Sequence, residues 1–200
     1  MNVLLSTTYF GPVQWYQKLY RADEAWIERH ETFQKQTFRN RCMIATTQGV
    51  QALTVPVERP SASLSTIKDV RISDHGDWRR LHWNALQSAY GESPFFEYYE
   101  DDLHPFFERR WTFLLDFNEE IRQKICELID IQPQVRYTND YIKEACNDFR
   151  ETIQPKRPAP DDDFQPQPYY QVYRQKHGFL QNLSILDLLL NMGPESVFWL

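Results

Sequence analysis

Residues 29–42, RHETFQKQTFRNRC, place Arg29, Lys35, Arg39 and Arg41 beside Glu31, His30, Gln34, Gln36 and Asn40, with two lone phenylalanines between them. Four positive charges against one negative give +3 locally, in a chain whose net charge is −6. A guanidinium is a planar fork that grips a carboxylate or phosphate through two parallel bonds, and lysine adds a point charge. Arg41 and Lys35 are therefore candidates to hold the anionic part of a substrate, and Asn40 to bond a sugar hydroxyl or base edge. The same charges also fit a solvated loop leading into an edge strand.

Among the five histidines, His82 carries the strongest case for chemistry. It follows Trp78 by four positions on a helical pattern, so both share one face, with Arg79 and Trp83 beside it and Tyr90 two turns on. An imidazole that titrates near neutrality suits a general base. The plainer alternative is a histidine bonded to a backbone carbonyl at the sheet. His30 is a weaker candidate, because strand alternation leaves its direction open. His75, His104 and His177 have no companion at ligand spacing, and the proline-flanked Asp161-Asp162-Asp163 run reads as solvated, so no metal site is expected. No Walker, dinucleotide-binding or nucleophile-elbow glycine pattern occurs, and no cofactor is identified. Cys42 follows Arg41 but reads as an inert strand residue.

These groups need elements to hold them. VLLSTTYF (3–10) reads as a strand; Gly11-Pro12 breaks it and opens a helix at about 12–22. AWIERHE (25–31) reads as a second strand. Strand, helix and strand in thirty residues form a βαβ unit with parallel strands, and stretch 29–42 then lies beyond a carboxyl end, where open α/β sheets bind ligands. Residues 41–58 predict a hairpin around Thr47-Gln48-Gly49. Residues 60–65 read as a polar loop and 66–73 as a short strand. A helix capped by Asp77 and closed by Gly91 follows, then helices near 94–109 and 112–130. Residues 134–138 return to the sheet and 139–150 read as helical. Residues 155–168, with five prolines, read as a linker or exposed arm. In SILD (184–187), Ser184 and Asp187 fit a capping box, leaving Asn182 just outside it free for a ligand. Phe95, Phe96, Tyr98, Tyr99, Phe106, Phe107 and Trp111 read mostly as core, with some available as a sugar or base platform. The expected fold is α/β: a mixed, partly parallel sheet that starts with a βαβ unit and a hairpin and is covered by helices, in one domain over 1–200.

The bulk composition agrees. Hydrophobic residues make up 42% and charged residues 25%, as in a globular chain. The acidic balance argues against a nucleic-acid binder. Cys42, Cys126 and Cys146 are odd in number and widely spaced, as free thiols in a reducing compartment are. The start, MNVLLSTTYFGP, lacks the pattern of a signal peptide, and no apolar run is long enough to span a membrane, so a cytoplasmic location is expected.

STTYFGP, FQKQTFRNR, HWNALQSAYGESPFFEYY and GFLQNLSILDLLLNMGPES occur in the order seen in the WbqC-like family of bacterial proteins, which the chain resembles. Many relatives open with Gln-Pro before the first tyrosine, whereas Ser6-Thr7-Thr8 precede Tyr9 here. That departure puts ligand binding through Tyr9 in question. The resemblance implies a role in bacterial surface polysaccharide (O-antigen) biosynthesis, with transfer of an aminoacyl group, glycyl in particular, to an amino sugar or nucleotide-sugar. His82 would be its base, with Tyr9, Lys35, Asn40, Arg41 and Asn182 contacting substrate. The alternative is a non-catalytic ligand-binding or scaffold protein of an envelope-assembly pathway, its Pro-rich arm and apolar SVFWL end engaging partners.

Overall fold

A computed structural model describes residues 1–58 and 65–200. Residues 60–64 of the expected polar loop lie outside the described residues. The βαβ unit forms as anticipated, with β1 (Asn2–Ser6), α1 (Val13–Arg21) and β2 (Glu24–Glu28). β1 and β2 pair in parallel from Asn2↔Glu24 to Ser6↔Glu28. Val3, Leu4, Leu5 and Ser6 are all buried, because a parallel strand is covered on both faces and needs no polar alternation. Tyr16 and Leu19 are among the buried side chains of α1, as the helical spacing predicts.

The return strand β5 (Val135–Tyr137) lies parallel on the other side of β2, which gives the order β1-β2-β5. The free edge of β1 is covered by residues 147–149: Leu4 N donates to Asn147 O and Phe149 N to Leu4 O, both at 2.9 Å. Those bonds explain why 139–150 is not the expected helix. Its backbone groups are claimed by the sheet edge and by Glu28, whose carboxylate accepts from Ile142 N at 2.9 Å. The hairpin, β3 (Arg41–Thr46) with β4 (Gly49–Thr54), forms its own two-stranded antiparallel sheet rather than joining the parallel one.

Residues 66–73 contain a 3-10 turn at Ile67–Asp69 in place of a strand. Their amides are spent singly on several neighbours, Ile67 N on Glu31 O and Ile72 N on Thr112 O among them, so no ladder develops. The helical cover follows as α2 (Trp78–Tyr90), α3 (Phe96–Leu103), α4 (Pro105–Glu108), α5 (Leu114–Leu128), α6 (Arg174–His177) and α7 (Ile185–Met192). Pro105 has no amide hydrogen to continue α3, which splits the single helix expected over 94–109 into two. Asp77 does not cap α2. It sits at φ 49° and its carboxylate instead accepts from Arg80 Nε at 2.6 Å. Among the described residues no helix is long and apolar enough to cross a membrane.

Phe96, Tyr99, Phe106 and Phe107 are core residues, whereas Tyr98 is exposed. Cys42 and Cys126 are buried and Cys146 is exposed. Burial pushes the Cys126 thiol up to about 11, and pushes the Cys42 thiol up as well, which suits the inert reading of Cys42.

Residues 155–168 lie mostly exposed, as an arm would, but Asp161 is held against α1. Its carboxylate meets Lys18 Nζ and Gln14 Nε2, each at 2.8 Å, and both ionised side chains are nearly enclosed. At the end of α7, Gly193 takes φ 58°, and an added Cβ would meet the Phe95 ring at 2.5 Å. Gly193→Ala should therefore destabilise the protein by about 1–3 kcal/mol, read as a lower denaturation midpoint with unchanged denaturant slope.

Candidate functional site

The carboxyl ends of β1, β2 and β5 fall together, and the chain leaving β2 meets the chain arriving along β1. Between the segment that leaves β2 and residues 141–151 lies a cleft of about 570 Å³ walled by His30, Glu31, Gln34, Tyr141, Asp148, Arg150 and Glu151 among others. Stretch 29–42 thus does reach the carboxyl end of the parallel sheet, though only its first part lines the cleft.

Two buried charge networks fix the walls. Arg39, 2% exposed, bonds Glu31 through Nε at 2.9 Å and through a second guanidinium nitrogen at 2.6 Å. It also donates to Ser6 Oγ at 2.9 Å. Glu28, 0% exposed, accepts from Thr138 Oγ1 at 2.7 Å, His30 N at 2.8 Å and Ile142 N at 2.9 Å. Arg150 reaches Glu28 at 3.5 Å and grips Asp148 at 2.6–3.1 Å. Burial raises the Asp148 carboxyl, but the hydrogen bonds and charge of Arg150 prevail and hold it below its usual range. The exposed ring of Tyr141 lies 5.1 Å from the Arg150 guanidinium.

Both arginines are thus already paired with carboxylates. The His30 ring, in contrast, makes no hydrogen bond to protein among the described residues, and its Nε2 is enclosed without a partner. Such a group is satisfied only when a ligand or water reaches it.

The other candidates are dispersed. His82 is 5% exposed; its Nδ1 and Tyr9 Oη are 2.8 Å apart. Its ring centroid lies 5.1 Å from that of Trp78. Burial lowers its pKa to about 4, against a backbone hydrogen bond at Thr54 that raises it. Neither His82 nor any of Arg29, Lys35, Arg39 and Arg41 is among the residues that wall this cleft. Tyr9 is fully buried, and burial, then Cys42, raises its phenol. Arg41 Nε bonds Thr54 Oγ1 at 3.0 Å. Asn40 Nδ2 bonds Val55 O at 2.9 Å, while its Oδ1 is enclosed without a partner. Lys35 is exposed, next in sequence to Gln34 at the cleft.

Asn182 is not free for a ligand. From φ 54° its Oδ1 accepts from Gln14 N at 2.9 Å and its Nδ2 donates to Gln14 Oε1 at 3.0 Å. Val13 N bonds Leu183 O at 3.0 Å, so the amide hydrogens at the start of α1 are met by the chain itself rather than offered to an anion. Ser184 caps α7 as expected, accepting from Leu186 N at 3.2 Å. Asp187 does not complete a capping box: its carboxylate accepts from Tyr90, Tyr169 and Gln171 at 2.7–2.9 Å. Burial raises its pKa despite those three donors.

Sequence reasoning missed Glu28, Tyr141, Asp148 and Arg150. The available signal was a pair of glutamates, Glu28 and Glu31, straddling the end of a parallel strand. Read as ligand-facing carboxylates, they would have demanded buried cations from elsewhere in the chain.

The comparisons with known proteins bear on this site. The chain is 28% identical over 199 residues to Uncharacterized protein Rv1507c of Mycobacterium tuberculosis, a match that covers 87% of this chain and 86% of that one. No solved structure matches. The WbqC-like protein family model matches residues 7–154, which span every wall of the cleft and stop short of the 178–196 segment that also carried the resemblance; the chain belongs to that family.

Proposed function

We propose that the cleft receives the amine-bearing end of an amino sugar, free or nucleotide-linked, and that the protein transfers an aminoacyl group to that amine. The observation that carries this reading is the lining itself. It combines a histidine without a protein partner among the described residues, carboxylates on both sides, and one arginine, Arg150, already neutralised by Asp148. An ammonium or hydroxyl-rich group complements such a surface better than a phosphate does.

In this reading the base is His30, which lines the cleft, and not His82. The His82 ring is engaged by Tyr9 and lies deep in packed aromatics, and with a pKa of about 4 it binds a proton poorly at neutrality. His30 would take one proton from the ammonium, the freed nitrogen would attack the carbonyl carbon of an activated acyl donor, and the leaving group would depart with its bonding pair and take up the second proton that the nitrogen sheds on becoming an amide. Exposed Lys35, next in sequence to Gln34, would hold a phosphate left outside the cleft. The sugar-modifying role and its place in surface polysaccharide assembly rest on the family likeness.

The test is binding of glucosamine against N-acetylglucosamine, followed by thermal shift and titration calorimetry. Glucosamine should raise the melting temperature, by linkage to the native state. Acetylation, which removes the ammonium, should weaken binding about tenfold or more, as loss of one charge-assisted bond does. Glu151→Gln, an exposed change in the cleft wall, should weaken glucosamine comparably. Equal affinity for the two sugars would remove the amine from the reading.

A further inference from the structure

One residue of the cleft wall is unlike the rest. Glu31, Thr32, Gln34 and Glu151 bring carboxylate, hydroxyl and amide groups, whereas Tyr141 brings an aromatic ring. No other phenylalanine, tyrosine or tryptophan lines the cleft among the described residues. Tyr141 is 50% exposed, so half of its surface is still in water and open to further burial.

The ring is also held in place. The Arg150 guanidinium lies over it, 5.1 Å from the centroid, and is itself fixed 2.6 Å from Asp148 and 3.5 Å from Glu28. The next residue, Ile142, is tied through its amide to the same buried Glu28 at 2.9 Å. One face of the ring is therefore backed by an anchored cation. A ligand ammonium on the ring would meet that like charge, which makes the ring a poor seat for a cation and a good one for C–H groups.

A pyranose has the matching shape. Its hydroxyls and any amine spread around the rim, and its C–H bonds point from its faces. With one face against an aromatic ring, the rim groups are free to bond carboxylates, amides and hydroxyls around them. We infer that Tyr141 is the platform on which the cleft stacks the C–H face of a hexopyranose, and so the residue that selects a sugar ring over an acyclic amine. The inference rests on the cleft being the ligand site of the preceding reading, and it concerns the ring of the ligand rather than its amine.

The experiment titrates glucosamine, N-acetylglucosamine and ethanolamine against wild type, Tyr141→Phe and Tyr141→Leu, and follows the ligand protons by NMR. Tyr141 is half exposed and Arg150 keeps both of its carboxylates, so the leucine variant should fold. C–H protons of both sugars should move upfield on binding to wild type and Tyr141→Phe, under the ring current of the aromatic side chain. In Tyr141→Leu that shift should vanish and both sugars should weaken by the same factor, about three- to tenfold, as loss of an aromatic contact does. Ethanolamine, which has an amine and a hydroxyl but no ring, should be unaffected by the substitution. Sugar protons that do not shift, or sugar affinities unchanged in Tyr141→Leu, would overturn the platform. So would an equal loss for ethanolamine, which would mean a disturbed wall. Equal affinity of wild type for the two sugars would remove the amine while leaving the platform standing, provided both still depend on Tyr141. Binding of neither sugar would remove both.

Discussion

Arg39→Met should destabilise the protein by about 3–5 kcal/mol, the usual cost of removing one member of a buried ion pair and leaving the other charge enclosed. Glu31 would lose both guanidinium bonds and keep only Ser6 Oγ at 3.1 Å. For a chain of this length the melting temperature should fall by roughly 10 °C. The double variant Arg39→Met with Glu31→Leu should recover most of the loss, because no unpaired carboxylate remains. Urea denaturation of the wild type, both singles and the double closes the cycle. If Arg39→Met alone costs less than about 1 kcal/mol, as a solvated pair would, the Arg39–Glu31 pair is not holding the cleft wall.

The second large effect is on pH. His82 has a folded pKa of about 4, below the ordinary 6.5, with burial the main cause. Between these values the unfolded chain binds a proton that the native state refuses, so stability rises with pH across that window and is lost as pH falls from 6.5 toward 4. The full loss is about 3 kcal/mol at roughly 1.4 kcal/mol per pKa unit. Asp187 acts in the opposite sense. Its raised pKa means the native state takes up a proton before the unfolded chain does, which adds stability as pH falls. Asp148, held low, contributes a loss nearer and below 3.8. A His82→Phe variant should therefore flatten the slope between pH 6.5 and 4 whatever its absolute stability. Denaturation midpoints at several pH values decide it, and an unchanged slope would show that His82 accepts protons freely in the native state.

The parts of the fold legible in sequence were those that local rules determine. Gly11-Pro12 between an apolar strand and an aromatic helix face fixed the βαβ unit, and the Thr47-Gln48-Gly49 turn fixed the hairpin. Capping of α7 by Ser184 was equally local. What failed was decided by distant partners. Residues 139–150 carry helix-forming residues, yet tertiary bonds to Leu4 and Glu28 override propensity. Asp187 has the spacing of a capping residue, but two tyrosines and Gln171, from other segments, claim its oxygens. The candidate site shows the same division. Stretch 29–42 was rightly placed at the end of a parallel strand. Its charge was misleading, because counting +3 along the chain takes no account of where Arg39 finds its carboxylate.

The sealed start of α1 has a consequence for where this protein can be cut. Residues 182–184 close the first turn of that helix, and Asp161 neutralises an otherwise enclosed Lys18. Both partners lie after position 154, where the family match ends. A fragment trimmed at that boundary would keep every side chain of the cleft yet strand an interior ammonium and two amide hydrogens. Such a fragment should therefore unfold at a lower denaturant concentration than the full chain.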